Sequence, residues 1–352
     1  MGLSRLEPPP RLVDASLLAA VVLSVATGLV SLVSGRPGDR WVFVLHGVGG
    51  LVLAALLCWK LRRVRHRVLD RSWSRATVVS VLLATVALAA LATGVAWVFG
   101  ATLDLGAWGL LNLHIGLGLV VVPLLLVHLR SRFRLPSADE IRDRRTALRY
   151  AALVGAGALT WRAQQTATDL LETAGADRRF TGSREDGSGD RNAFPVTSWV
   201  ADDPDPVDPD AWTLAVGGAV EEPLSLSDGS IAPERTERAV LDCTSGWYSV
   251  HDWQGIRVGD LLDAAGPAEG AGWVRFRSVT GYRWSLPIDE ARDALLATHV
   301  DGDRLSHGHG FPVRLVAPGR RGFQWVKWVP SVEVTRRRDR SDWIAIFVSG
   351  ID

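Results

Sequence analysis

Apolar and polar positions are spread unevenly along the chain. Four long apolar runs, at about residues 12–33, 41–59, 76–99 and 107–129, carry no polar stripe. A helix packed in a soluble core would show one polar face every ~3.6 residues. Each run instead approaches the ~20 helical residues that span roughly 30 Å of hydrocarbon. The pattern predicts an N-terminal all-α transmembrane four-helix bundle. Trp41, Trp59, Trp97 and Trp108 lie near the run ends, where interfacial anchors sit. A fifth apolar stretch, residues 150–161, is short for a span and suits the apolar core of an export signal.

After Ala163 the chain turns polar, and "DRRFTGSREDGSGDRN" reads as a linker. From Phe194 onward, short β-type runs such as "WVRFRSV" and "FPVRLVA" are separated by Pro/Gly turns, with helical pieces between them. This predicts a C-terminal mixed α+β domain. The expected division is 1–135 for the membrane bundle, 136–190 for a basic loop, short apolar segment and linker, and 191–352 for the α+β domain.

Charge adds a direction. Residues 1–149 carry 18 Lys+Arg against 8 Asp+Glu, and residues 150–352 carry 21 against 30, so the net charge of +1 conceals a basic front and an acidic back. Seven Lys/Arg fall between Lys60 and Arg75 and seven between Arg130 and Arg149, against two between the first two runs and none between the last two. The positive-inside rule then puts the N-terminus and both rich stretches in the cytoplasm. Arg144 and Arg145, just before the fifth apolar stretch, resemble a twin-arginine export signal. If that stretch crosses, the back domain is extracytoplasmic, which is the expected arrangement; if not, it is cytoplasmic.

Candidate chemistry begins with histidines inside the runs. His46 and His114 enter from the same side at similar depth, and each is followed four residues later by glycine, Gly50 and Gly118, which would admit a flat macrocycle. Ionisable side chains in a bilayer are costly and point to function. Two imidazoles on facing helices can supply both axial ligands of a haem b. His128, 14 residues after His114, lies on nearly the same helix face, with His66 as the candidate partner for a second haem. The bland alternative is that these histidines hydrogen-bond across helices and bind nothing. Two cysteines exclude a disulfide framework and a zinc finger; Cys58 reads as packing. No GxGxxG or GxxxxGK[ST] motif supports nucleotide binding, and the acidic balance with no basic stripe excludes nucleic acid.

Three stretches carry a resemblance: "NAFPVTSW" (192–199), "LDCTSGWYSVHDWQGIRVGDLL" (241–262) and "LSHGHGFPVRLVAPGRRGFQWVKWV" (305–329). Together they resemble the molybdopterin-binding domain of the sulfite oxidase superfamily, which includes methionine-sulfoxide reductase catalytic subunits. The resemblance implies a molybdenum–molybdopterin cofactor with Cys243 as its metal ligand. It implies cofactor contacts at Asn192, Phe194, Thr244, His309, Arg314 and Lys327. A soft metal wants a thiolate, and a pterin phosphate wants fixed cations. Lys327 is one of only two lysines among 39 basic residues, so a lysine there is not compositional drift. Tyr248, Tyr282, Arg283 and Arg320 are candidates for lining a substrate pocket.

One departure bears on substrate. Sulfite-oxidising members place an arginine soon after the cysteine, whereas this chain reads Cys-Thr-Ser-Gly-Trp. Their dimerisation domain is also not expected here. The expected function is a membrane-anchored molybdenum oxidoreductase performing oxygen-atom transfer. Electrons would pass between a membrane quinone or other electron-transfer partner and a small oxo substrate, with an S- or N-oxide reductase as the leading reading. The alternatives are an oxidase of sulfite or another small anion and, outside enzymes, a haem-binding membrane module.

Overall fold

The computed structural model describes residues 9–69, 73–105, 108–132, 144–198 and 202–348. Trp199 of the first motif, most of the basic stretch after Arg130 and the Trp108 side chain lie outside the described positions. The chain divides into two compact units, residues 1–182 and 183–352.

The first unit is helical. Helices α1 (Pro10–Ser31), α2 (Arg40–Leu69), α3 (Arg75–Val98) and α4 (Leu110–Arg132) match the four runs, and all four are long and apolar enough to cross a membrane. Proline at the first position starts α1, where its missing N–H costs nothing. The Ser74 hydroxyl caps α3 by accepting the Thr77 N–H at 3.2 Å. A small internal cluster of Val13, Ala20, Leu53 and Leu56 packs α1 against α2. Val22, Leu29, Val30, Leu88, Leu119 and Leu126 point outward and are exposed, the inverse of a soluble bundle and suited to lipid contact.

A fifth helix, α5 (Arg144–Leu170), has 27 residues and contains the whole 150–161 stretch. It runs antiparallel along α2, with Gly157 against Val52 and Trp161 over Gly47, and Tyr150 accepts a hydrogen bond from Ser16 of α1. A Cβ on Gly47 would sit 2.7 Å from the Trp161 ring, so glycine is required for this approach.

The second unit is strand-rich. Its strands are β3 (Arg184–Glu185), β4 (Thr213–Gly218), β5 (Leu224–Ser227), β6 (Arg235–Asp242), β7 (Trp247–Arg257), β8 (Trp273–Arg277), β9 (Arg283–Pro287), β10 (Leu295–Val300), β11 (Asp303–Arg304), β12 (Arg314–Val316) and β13 (Ser331–Thr335), after a β1–β2 ribbon (Asp104–Leu105, Trp108–Gly109) in the first unit. One sheet runs β11-β10-β7-β3 with β12 on β10 and β6 on β7; the other runs β5-β4-β13-β8-β9. Helices α6 (Val258–Ala265), α7 (Ile288–Arg292) and α8 (Asp342–Val348) complete the mixed fold. Alternation along β7 buries Ser249, His251, Trp253 and Gly255 on one face. Trp253, Trp284 and Trp325 are among the largest fully buried side chains of the unit's core. Truncating one such aromatic to alanine typically costs about 3–5 kcal/mol.

Candidate functional site

The long hairpin β6–β7 turns at residues 243–246, and Cys243 opens the turn. Its N–H donates to the Trp247 carbonyl at 2.9 Å, and its carbonyl accepts the Gly246 N–H at 3.1 Å. The sulfur is buried and receives the Ser245 N–H at 3.5 Å.

A second clamp holds the same residue from the far chain. Arg321 Nη2 donates to the Cys243 carbonyl at 3.1 Å, and Arg321 Nη1 lies 3.0 Å from Asp242 Oδ1. Ser183 donates to the same carboxylate oxygen at 2.7 Å. Arg321 and Asp242 are both buried. A buried pair of this kind has to be fully hydrogen-bonded to be tolerated, and removing one partner strands the other charge. The pair fixes the cysteine's backbone.

Arg314 and Lys327 converge because of Gly310. Its φ of +107° suits glycine, and a Cβ there would lie 3.0 Å from Arg314 Cβ and 3.1 Å from Lys327 Cβ. Arg314 is buried, donates to the His309 carbonyl at 3.1 Å and lies 5.0 Å from the centre of the Trp253 ring. Its Nε has no hydrogen-bond partner, and no carboxylate pairs with the guanidinium among the described residues. Lys327 Nζ donates to Ser198 Oγ at 2.9 Å and Gly308 O at 2.8 Å. Burial pushes the Arg314 pKa down to about 9, countered in part by Cys243. Burial, then the Arg314 charge, pushes Lys327 down to about 7, with Asp202 and Cys243 acting the other way. A buried guanidinium beside a half-buried ammonium, short of counter-charge, is unfavourable alone. They suit an anionic ligand such as a pterin phosphate, and the unpartnered Nε is a donor ready for it.

His309 is held in one tautomer. Nε2 lies 3.0 Å from the Phe194 carbonyl, which can only accept, so Nε2 carries the proton and Nδ1 accepts from Ser306 Oγ at 2.8 Å. Burial, then the Arg314 charge, lowers its pKa to about 4, so the ring is neutral near pH 7. Phe194 stacks on it with ring centres 3.8 Å apart. Asn192 ties down the neighbouring loop, donating to Arg304 O and accepting from Ser306 N, both at 2.9 Å. Thr244 is half-buried in the cysteine turn. Cys243, Phe194, His309, Arg314 and Lys327 thus cluster, with Asn192 shaping the loop that carries His309.

The four substrate-pocket candidates have other engagements. Tyr282 is buried and donates to the Phe323 carbonyl at 2.6 Å. Arg283 pairs with Asp339 at 3.2 Å, and Arg320 pairs with Glu290. Tyr248 is half-buried on β7. The Arg321–Asp242 clamp was absent from the sequence reading; the second arginine of "GRRG" was its only trace. Also missed was His251, fully buried, with Nδ1 at 2.6 Å from Asp301 Oδ2.

In the helical unit His46 and His114 are neighbours, ring centres 6.0 Å apart and ring planes near perpendicular at 84°. A Cβ at Gly118 would meet no atom within 4 Å, and one at Gly50 only Leu91 at 3.9 Å. The helix surface there has room for a flat group. His128 Nδ1 lies 3.0 Å from Ser80 Oγ of α3, whereas His66 is exposed toward the end of α2.

The cysteine, the cation pair and the mixed sheets together define a molybdopterin-dependent oxidoreductase. A family model described as the oxidoreductase molybdopterin binding domain matches residues 201–343. The chain is 33% identical over 156 residues to the uncharacterized oxidoreductase YuiH of Bacillus subtilis, across 43% of this chain and 78% of that protein. It belongs to this molybdopterin-binding oxidoreductase family. It is also 34% identical over 154 residues to the protein-methionine-sulfoxide reductase catalytic subunit MsrP of Xanthomonas axonopodis pv. citri, covering 38% of this chain and 47% of that relative, under half its length. A solved structure, the sulfane dehydrogenase SoxCD of Paracoccus pantotrophus, matches 39% of this chain and 41% of its own at 25% identity, with a TM-score of 0.37.

Proposed function

We propose that the chain is a membrane-anchored reductase of a small S- or N-oxide, drawing electrons from a membrane quinol through one haem b between His46 and His114. Its molybdenum unit would face the extracytoplasmic side. The observation that carries the molybdenum part is the cation pair beside Cys243, buried Arg314 and half-buried Lys327. Such a pair needs an anion of fixed shape, and the cysteine offers the thiolate that a soft metal prefers.

Molybdenum, when bound, supplies two-electron oxygen-atom transfer. The chain's part is ligation, charge and orientation. Cys243 would hold the metal, its backbone fixed by Arg321 and the turn hydrogen bonds. Arg314 and Lys327 would hold the cofactor phosphate. Neutral His309 would keep the edge of the site in one hydrogen-bonding register. The overall chemistry balances: a sulfoxide takes up two electrons and two protons and gives the thioether and water, while the quinol releases those electrons and protons and becomes the quinone.

The preference for an oxide over sulfite rests on the missing arginine after Cys243 and on the sulfoxide reductase among the relatives. The preferred side of the membrane rests on the basic loops and on α5, which touches α1 at Ser16 and α2 from Val52 to Gly47 and so would add a fifth crossing.

The test is spectroscopic. Membranes containing the protein are reduced with a quinol, and the haem absorbance is followed as methionine sulfoxide is added. Reoxidation in wild type, lost in Cys243→Ser and absent with sulfite, is the expected result. Haem that stays reduced with the sulfoxide, and is reduced by sulfite, would reverse the assignment.

A further inference from the structure

The membrane helices contain a repeat. Ala26-Thr27-Gly28 on α1 recurs 66 residues later as Ala92-Thr93-Gly94 on α3, and His46-x-x-x-Gly50 on α2 recurs 68 residues later as His114-x-x-x-Gly118 on α4. The contacts repeat with the letters. His46 Nδ1 lies 3.1 Å from Ser24 O and 3.1 Å from Thr27 Oγ1; His114 Nδ1 lies 2.9 Å from Ala90 O and 3.3 Å from Thr93 Oγ1. Ser24 and Ala90 are equivalent positions at the same offset of 66. Each imidazole edge also rests on the glycine of its triplet: a Cβ at Gly28 would be 3.5 Å from His46 Cε1, and one at Gly94 3.0 Å from His114 Cε1.

The hydrogen bonds decide the tautomer. A carbonyl only accepts, so Nδ1 carries a proton in both rings, and in the neutral imidazole Nε2 is then the nitrogen with the lone pair. Each threonine hydroxyl donates back to its own helix, Thr27 to Leu23 O at 2.7 Å and Thr93 to Ala89 O at 2.9 Å. Its oxygen is left to accept from the imidazole. A carbonyl on the outer nitrogen is the usual arrangement behind a metal-bound histidine. With metal–nitrogen bonds of about 2 Å, and the ring centre roughly 1 Å behind the nitrogen, two imidazoles in line across a metal have centres about 6 Å apart. The observed separation is 6.0 Å.

The same alignment bears on the number of sites. Fourteen residues after each histidine stand Lys60 and His128, and thirteen before each threonine stand Asp14 and Ser80. Both pairs are in contact: Lys60 Nζ to Asp14 Oδ1 at 2.6 Å, and His128 Nδ1 to Ser80 Oγ at 3.0 Å. Where the second copy has an imidazole, the first has an ion-paired ammonium, which donates no lone pair to a metal.

We infer that the bundle is a duplicated helical hairpin that forms one bis-imidazole haem seat on its pseudo-twofold axis, with Thr27 and Thr93 as equivalent positioning residues for His46 and His114. The inference rests on the haem reading above. It is tested on the purified full chain by haem content, low-spin ferric electron paramagnetic resonance and midpoint potential, in wild type, Thr27→Val, Thr93→Val, the Thr→Ser pair and His128→Ala. One haem per chain is expected, retained in His128→Ala, with the strongly anisotropic signal of near-perpendicular imidazole planes. Loss of the threonine acceptor makes the imidazole less basic. Both valine variants should therefore shift the potential upward by similar amounts, or lose haem, and the serine variants should restore wild-type values. A wild-type chain without haem sinks the underlying reading. Haem present but unmoved in both valine variants, unequal behaviour of the two threonines, or a second haem lost in His128→Ala overturns the duplicated single seat.

Discussion

In the helical unit, His46 and His114 are imidazoles held by backbone carbonyls and hydroxyls. In the α+β unit, Arg314 and Lys327 are cationic side chains held among aromatic rings and carbonyls, with no carboxylate in direct contact among the described residues. The difference shows what each unit lacks. Neutral donors in an apolar setting want a metal and little net charge. Cations drawn out of water want an anion, and their lowered pKa values record the cost of waiting for one.

The largest expected effect removes the α+β unit's metal ligand. Cys243→Ser should cut turnover by at least on the order of 10³ while leaving the haem spectrum intact. Steady-state assays beside a reduced-minus-oxidised spectrum check both halves. Loss of the haem as well would mean the two units are not separable. Next comes the clamp behind the cysteine. Asp242→Asn strands Arg321, and a drop of about 10–100-fold in activity or metal content is expected, as for supports behind a metal ligand. Metal analysis per chain reads it.

Arg314→Met sharpens the electrostatic contrast by its sign. Replacing an uncompensated buried charge with an apolar side chain should leave the cofactor-free protein as stable or up to about 1–4 kcal/mol more stable, while abolishing cofactor retention. Denaturant unfolding of protein made without cofactor checks it.

The smallest effect is a pH slope. Folded Lys327 loses its proton near 7, against 10.5 ordinarily. Above pH 7 the unfolded chain therefore binds more protons than the folded one, and the stability of the cofactor-free protein should rise from about pH 7 toward 10. Below pH 7 the burial cost is fully present. Lys327→Met should flatten this slope.

Much of this was legible in the sequence because it lay in local pattern. Runs without a polar face marked the four long apolar helices, and dense motifs drew attention to Cys243, His309, Arg314 and Lys327, which the fold brings together. Features that depend on distant pairing were not legible. The α5 helix was underestimated because Arg162, Gln164 and Gln165 interrupt its apolar character, while its docking depends on a glycine at position 47 of another helix. Arg321 looked like any surface arginine until the fold set it against Asp242, 79 residues away. The contacts of Tyr282, Arg283 and Arg320 with Phe323, Asp339 and Glu290 join positions remote in sequence and left no local pattern. The hairpin repeat hid because only a triplet and a His-x-x-x-Gly survive, and because the offset changes from 66 to 68 between the two helices.

The central claim is that Cys243 is the protein's own ligand to molybdenum. X-ray absorption at the molybdenum edge tests it most directly, comparing wild type with cofactor-loaded Cys243→Ser. The account predicts one sulfur fewer in the metal's first shell in the variant. An identical sulfur shell in the two proteins would contradict it.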